Sequence, residues 1–243
     1  MANLAAENTP LERTKRRERA ERILNVAEDL LLKHGYRRIT IDDVAGQSGI
    51  GKGTIYLHWK SKEELFGTIL LREIVTIWKE LIQRVHDDPN RMLFSEVMRA
   101  MILIGMRRPL ARAFFTADRE LLGKLVESRV GPRQQADHLV GQDFFLKTLR
   151  DQGLIRSDQD LSLQSYALRA TITGFLMIEP GQVEENDLSL EQRAEALAQT
   201  VRSAFEPEQL PAADTLIQVA GEMERWLQTL IVVFEAKIQE PIK

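Results

Sequence analysis

One repeat length constrains this chain more than any other feature. Apolar residues recur at intervals of three and four almost from end to end, and no run of four to eight residues alternates cleanly between apolar and polar. A period near 3.6 gathers such residues into one helical stripe, whereas a half-buried strand needs a period of two. The predicted fold class is therefore all-α. The 243 residues are 44% hydrophobic with only 8 prolines and 14 glycines, which supplies ample core and excludes disorder, collagen-like repeats and low complexity. The absence of cysteine removes disulfides, thiolate metal sites and cysteine nucleophiles, and points to a reducing compartment. No window approaches the roughly 20 apolar residues of a membrane span, and no apolar signal stretch follows the N-terminal charges. The predicted location is cytoplasmic and unanchored.

The first helix is predicted over residues 14 to 34, with Ile23, Ala27, Leu30, Leu31 and His34 on one stripe and Arg13, Arg16, Arg17 and Glu28 opposite. Gly35 ends it, because glycine adopts positive φ without cost. Thr40 caps a short second helix by offering its side-chain oxygen to the amide of Asp43, with Ile41, Val44 and Ala45 turned inward. Gly46 and Gly49 bracket a turn. A third helix starts near Gly51 or Lys52 and turns Ile55 and Trp59 to the core. Ser61 and Glu64 form a capping box that opens a long fourth helix through Leu65, Ile69, Ile74, Trp78, Leu81 and Val85. Beyond it, helices are predicted over about 89–107, from Pro109, and at about 118–129, 132–151, 160–178 and 189–205, with a loop over 179–187. A last helix over 212–239 carries Leu216, Val219, Met223, Trp226, Leu230 and Val233, a stripe that must be buried on its own subunit or across a dimer.

The formal net charge of −3, taken alone, argues against a nucleic-acid partner. Division by region reverses this: residues 1–62 hold 12 Lys and Arg against 8 Asp and Glu (+4), and residues 63–243 hold 21 against 28 (−7). The basic part also contains the most informative segment, residues 40–65, where a capped helix, a glycine turn and a second short helix follow the helix-turn-helix plan. In that plan the second helix enters the DNA major groove. Lys52, Thr54, Tyr56 and His58 supply groups that can reach phosphate and base edges, Gly51 and Gly53 leave the helix start bare, and Lys62 places a cation beside the free amides of the next helix.

This segment strongly resembles the DNA-binding domain of tetracycline-repressor (TetR) family regulators. The resemblance rests on Thr40, Val44, Ala45, Ser48, Gly49, Ile50, Gly53, Thr54, Ile55, Tyr56, His58, Ser61, Lys62, Glu63, Glu64 and Leu65, and with the upstream helix it covers about a quarter of the chain. Two residues depart from the family pattern: Gly51 stands for Ser or Thr, which removes a hydroxyl cap, and Trp59 stands for Phe. The resemblance implies an inducible repressor that binds DNA as a homodimer and needs no cofactor, metal or enzymatic group. It assigns DNA contact to Thr40, Lys52, Gly53, Thr54, Tyr56, His58 and Lys62. It further implies a DNA-binding domain over 1–62 and an effector and dimerisation domain over 63–243, with the dimer formed by the helices at 160–178 and 189–205. An at least partly apolar small-molecule effector would sit among Met98, Met101, Phe115, Phe145, Tyr166 and Phe175, residues whose helical spacing equally fits core packing.

Other readings have weaker support in the residues. Gly46 to Lys52 fits the opening of a phosphate-binding loop, but Gly53 stands where Ser or Thr must hold magnesium and a helical pattern precedes it instead of a strand. His34, His58, His86 and His138 are too far apart for a helical pair of metal ligands. The basic run from Arg13 to Arg19 fits a solvated helix face as well as an arm on DNA. An effector-free adaptor that acts through a protein partner is the alternative from a different functional class.

Overall fold

The computed structural model describes residues 10–128, 146–178, 188–209 and 211–239. Among them every regular element is a helix. In chain order these are α1 (Pro10–His34), α2 (Ile41–Ser48), α3 (Lys52–Tyr56), α4 (Lys62–Asp87), a 3-10 turn (Pro89–Met92), α5 (Phe94–Met106), α6 (Pro109–Phe115), α7 (Arg119–Leu122) and α8 (Leu125–Ser128). A helical stretch over 146–151 precedes α9 (Leu161–Met177), α10 (Leu190–Phe205) and α11 (Ala213–Gln239).

Two apolar clusters organise these helices. The first joins Ile23, Leu24, Ala27, Leu30 and Leu31 of α1 to Val44, Ile55, Trp59, and Leu65, Phe66 and Ile69 of α4. It also takes in Leu110, Ala113, Leu122, Leu125 and Val126, so α6 to α8 close one side of the N-terminal module. The second cluster is the body, built from the later part of α4, α5, α10 and the start of α11. Helix α4 belongs to both. The ion pairs follow the same plan: Arg72 of α4 reaches Glu21 and Glu28 of α1, and Arg108 at the α5–α6 corner holds the buried Glu73 through two bonds of 2.8 and 2.9 Å.

The predicted stripe of α1 is buried except for His34, which is exposed because the helix ends there and Gly35 (φ 71°) turns the chain away. Glu28, placed on the outer face by the sequence, faces Arg72 instead. The predicted helix over 89–107 is broken at Leu93 (φ −52°, ψ 137°). No side chain caps α5 at that break, and the amide of Ser95 is taken by the buried Glu206 Oε1 at 2.6 Å, an acceptor 111 residues away. The predicted helix over 118–129 is split at Gly123 (φ 53°) into α7 and α8. The loop over 179–187 and the larger part of the helix over 132–151 lie outside the described residues.

The last helix packs on its own chain. α11 runs antiparallel to α4: Trp78 meets Phe234 with ring centroids 5.1 Å apart, Lys79 bonds Glu235 at 2.6 Å, and His86 lies 3.8 Å from Glu224. Leu216, Val219, Ala220, Leu227 and Ile231 form its buried stripe, whereas Val233, which the sequence assigned to that stripe, is exposed. Ile238 near its end packs against the N-terminal cluster.

Candidate nucleic-acid interface

The second and third helices are fixed by local chemistry. Thr40 accepts the Asp43 amide at 3.2 Å, and Asp43 returns the favour by accepting both the Thr40 amide and the Thr40 hydroxyl at 2.7 Å. These bonds stabilise the charged carboxylate and hold the Asp43 pKa below the usual aspartate range. At the other end of α2, Gly49 adopts the left-handed conformation (φ 68°, ψ 33°), and its amide closes onto Ala45 and Gly46. The residues that mimic a phosphate-binding loop therefore belong to a helix and its cap. Gly51 opens α3 without a side-chain cap, as the loss of the hydroxyl predicts. Ile55 is fully buried, and the Trp59 indole is buried with its Nε1 donating to Thr68 Oγ1 at 3.0 Å, so Trp59 occupies an aromatic core position.

What remains on the outside of α3 is a small polar face. Lys52, Gly53 and Tyr56 are exposed and Thr54 is half-buried, so four of the predicted contact residues sit together on the solvent side. Lys52 Nζ pairs with Asp42 Oδ2 at 2.8 Å, and that bond raises the lysine pKa. The α1 helix lies close by, with Arg16 donating to the Leu57 carbonyl at 3.3 Å. Lys15, Arg17, Arg19, Arg37 and Arg38 are exposed as well. The basic run of α1 is thus brought against the end of α3.

His58, Thr40 and Lys62 are engaged differently. His58 is only 6% exposed, and burial first, then Arg16 and Arg19, lowers its pKa to about 4. Its ring lies 5.3 Å from that of Trp59, inside the turn instead of on the α3 face. The Thr40 hydroxyl is spent on Asp43. Lys62 donates to the carbonyl of Tyr36 and sits 4.0 Å above the centre of the Tyr36 ring, and its partial burial lowers its pKa. Ser61 accepts the Glu64 amide at 3.1 Å as predicted, but the Glu64 carboxylate reaches back to the Lys60 amide, one residue earlier than a regular capping box. Tyr36 was not singled out from the sequence, and Asp42, expected with Asp43 at the positive end of the α2 dipole, was not expected to pair with Lys52. Asp43 shows the local pattern, a carboxylate three residues after a Thr cap, and Asp42 shares its first helical turn; Tyr36 gives no comparable signal.

The described effector candidates differ in burial. Met98, Met101, Phe115 and Phe175 are partly buried against the body cluster, with Phe115 pressed so tightly onto Gly105 that a β-carbon there would lie 2.0 Å from its ring. Tyr166 is 68% exposed on the outer side of α9, which removes it from any interior wall, and Phe145 lies outside the described residues. An open cleft of about 170 Å³ exists elsewhere, between α4 and α5, lined by Leu81, Arg84, Val85, Arg91, Glu96, Arg99 and Ala100. Among the described residues no group of three His, Asp or Glu side chains could hold a metal ion, and no helix is long and apolar enough to cross a membrane.

A capped helix, a glycine turn and a short helix with an exposed polar face define a helix-turn-helix protein of the all-helical class. The family model for bacterial regulatory proteins of the tetR family matches residues 23–69. Residues 23–69 are thus similar to the DNA-binding domain of that family. The uncharacterized HTH-type transcriptional regulator YhgD of Bacillus subtilis is 36% identical over 89 residues, which are 36% of this chain and 44% of that protein, so the matched part spans less than half of its length. The HTH-type transcriptional repressor BepR of Brucella suis is 25% identical over 166 residues, 65% of this chain and 79% of that one. The fold is shared with the regulator FadR of Bacillus subtilis, solved with stearoyl-CoA, at a TM-score of 0.54 and 14% identity over 74% of this chain and 96% of that one.

Proposed function

We propose that the chain is a DNA-binding transcriptional repressor that holds a palindromic operator as a homodimer and releases it when a small-molecule effector binds. The observation that carries this reading is the solvent-side face of Lys52, Gly53, Thr54 and Tyr56 on the short α3, which follows the doubly capped α2 and is anchored by the buried Ile55 and Trp59. Lys52 and Thr54 are assigned to base edges, and Thr40, Tyr56 and Lys62 to the phosphate backbone, which sets register. His58, buried in the unbound chain, is assigned to shaping the turn. Residues 1–62 form the DNA-binding domain and 63–243 the effector and dimerisation domain, with an effector at least partly apolar.

The outer side of α9 supports the dimer. Leu163 is 67% exposed and shares a three-and-four-spaced line with Tyr166, Ala170, Thr173 and Met177, an apolar seam of the kind that helices bury against a partner. Selection of bound duplexes from a random pool at ~0.15 M salt tests the whole reading. It should enrich a palindrome whose half-sites lie about one helical turn, roughly 34–36 Å, apart. An unenriched pool overturns the proposal, and enrichment of a single unrepeated half-site overturns the dimer.

A further inference from the structure

Tyr36, in the first apolar cluster, joins the start of α4 to the α7–α8 turn. Its amide donates to the Leu121 carbonyl at 2.8 Å, and its carbonyl accepts from Lys62 Nζ. Its ring lies 4.0 Å beneath the Lys62 ammonium and packs edge-on against Phe66 at 5.4 Å. Its hydroxyl donates to Glu63 Oε1 at 2.9 Å. Nothing on this list concerns α2 or α3; every contact is with the start of α4 or with the α7–α8 turn.

The α7–α8 turn approaches Tyr36 as closely as a backbone can. Gly123 has a positive φ (53°, with ψ −126°), and a β-carbon there would meet Tyr36 Cδ1 at 2.9 Å. From the other side, Gly35 has a positive φ as well (71°), and a β-carbon there would lie 2.8 Å from the Glu120 carbonyl oxygen. Two glycines that each face the opposite segment, with a main-chain bond between them, form a fitted joint. The glycines serve close approach here as well as turning.

We propose that Tyr36 is a positioning residue for DNA binding: it holds the Lys62 ammonium in place for a phosphate, and its seat against Leu121 and Gly123 makes that hold depend on the α7–α8 turn. This rests on the DNA-binding function proposed above. The geometry fits the task. An ammonium carries three protons, of which the Tyr36 carbonyl takes one, and the ring beneath adds a cation–π attraction that fixes the nitrogen without using the others. A lysine left free on a four-carbon stem would have to be ordered at the moment of binding. Because the seat joins the start of α4 to α7 and Gly123 within one cluster, a shift of α7 and α8 moves the aromatic floor under the cation directly.

The test uses the full chain and the duplex enriched by the selection above, with affinity measured across a salt series. Removing one phosphate contact from each protomer of the proposed dimer lowers the slope of log K against log salt by about 1.8, at about 0.9 per contact. Lys62→Ala should show that loss. Tyr36→Leu should weaken binding and lose most of the same slope, Tyr36→Phe should retain more of it, and Tyr36→Leu combined with Lys62→Ala should bind no worse than Lys62→Ala alone. Gly123→Ala, which lies outside the helix-turn-helix and pushes on the ring from across the joint, should reproduce the Tyr36→Leu result and serves if that variant melts at the assay temperature. Additive losses in the double variant, or an unchanged slope in both Tyr36→Leu and Gly123→Ala, overturn the inference while leaving the DNA-binding function standing. A wild-type chain that enriches no duplex overturns the function, and the inference with it.

Discussion

His58 shows how one buried side chain ties the recognition turn to pH. Its imidazole has an ordinary pKa of 6.5, lowered in the folded chain to about 4 by burial and by the neighbouring cations Arg16 and Arg19. Above pH 6.5 the ring is neutral whether the chain is folded or not. As pH falls from 6.5 toward 4 the unfolded chain binds a proton that the folded chain refuses, so stability decreases across that window and levels off below it. Urea titrations at pH 7 and pH 4.5 should therefore show the wild type losing about 1–3 kcal/mol more than His58→Gln, which has nothing to titrate. Equal losses would mean that His58 charges in place at no cost. The same residue marks a limit of sequence reading. At position 58 the polar ring and the helix-turn-helix pattern place it among DNA contacts, yet burial beside Trp59 is decided by packing that no spacing rule reports.

At the scale of single helices, legibility follows the range of the chemistry. α2, α3 and the start of α4 were legible because Thr40 with Asp43, Gly49 and Ser61 with Glu64 act within three or four residues of themselves. The N-terminus of α5 was not, because its acceptor comes from the far end of α10. Glu206 is almost fully buried, and one oxygen takes the Ser95 amide while Arg202 Nε stands 3.8 Å from the other. A periodic pattern sees only continuous apolar residues from 89 to 107 and misses the kink that this long-range cap makes possible. The split between α7 and α8 was missed for a related reason: the helix predicted over 118–129 runs through Gly123, and the Tyr36 ring packed against that glycine is a contact from outside the segment. The cap carries a prediction. Glu206→Ala leaves the Ser95 amide buried without an acceptor, which should cost about 1–2 kcal/mol, whereas Arg202→Ala, which removes a partly exposed cation, should cost under about 1 kcal/mol. Paired denaturant midpoints check it; similar costs for the two would indicate that the cap contributes little.

Across the whole molecule, α4 and α11 form a pair that runs from the body to the edge of the DNA-binding module. The sequence predicted that the α11 stripe must be buried but left its partner open, since a three-and-four spacing fits packing on the same chain and packing across a dimer equally well. Contacts of Trp78 with Phe234, of Lys79 with Glu235 and of Ile238 with the N-terminal cluster place it on its own subunit. The charge pattern agrees with this division of labour, because the module of +4 carries the α3 face and the remainder of −7 includes both long helices' outer surfaces. If α11 is structural, its removal must show in folding before it shows in assembly. Burial of Leu216, Val219, Leu227 and Ile231 at about 1.5 kcal/mol or more each comes to roughly 6 kcal/mol, which is comparable with the whole stability of an ordinary domain at about 5–15 kcal/mol. Its loss would also expose Trp78, Leu81 and Met92 in the body. A chain ended after Pro211 should therefore lose its cooperative thermal transition or melt far below the full chain, and aggregate on sizing. A truncated chain that keeps the full-length melting temperature and changes only from dimer to monomer would instead assign α11 to the dimer interface.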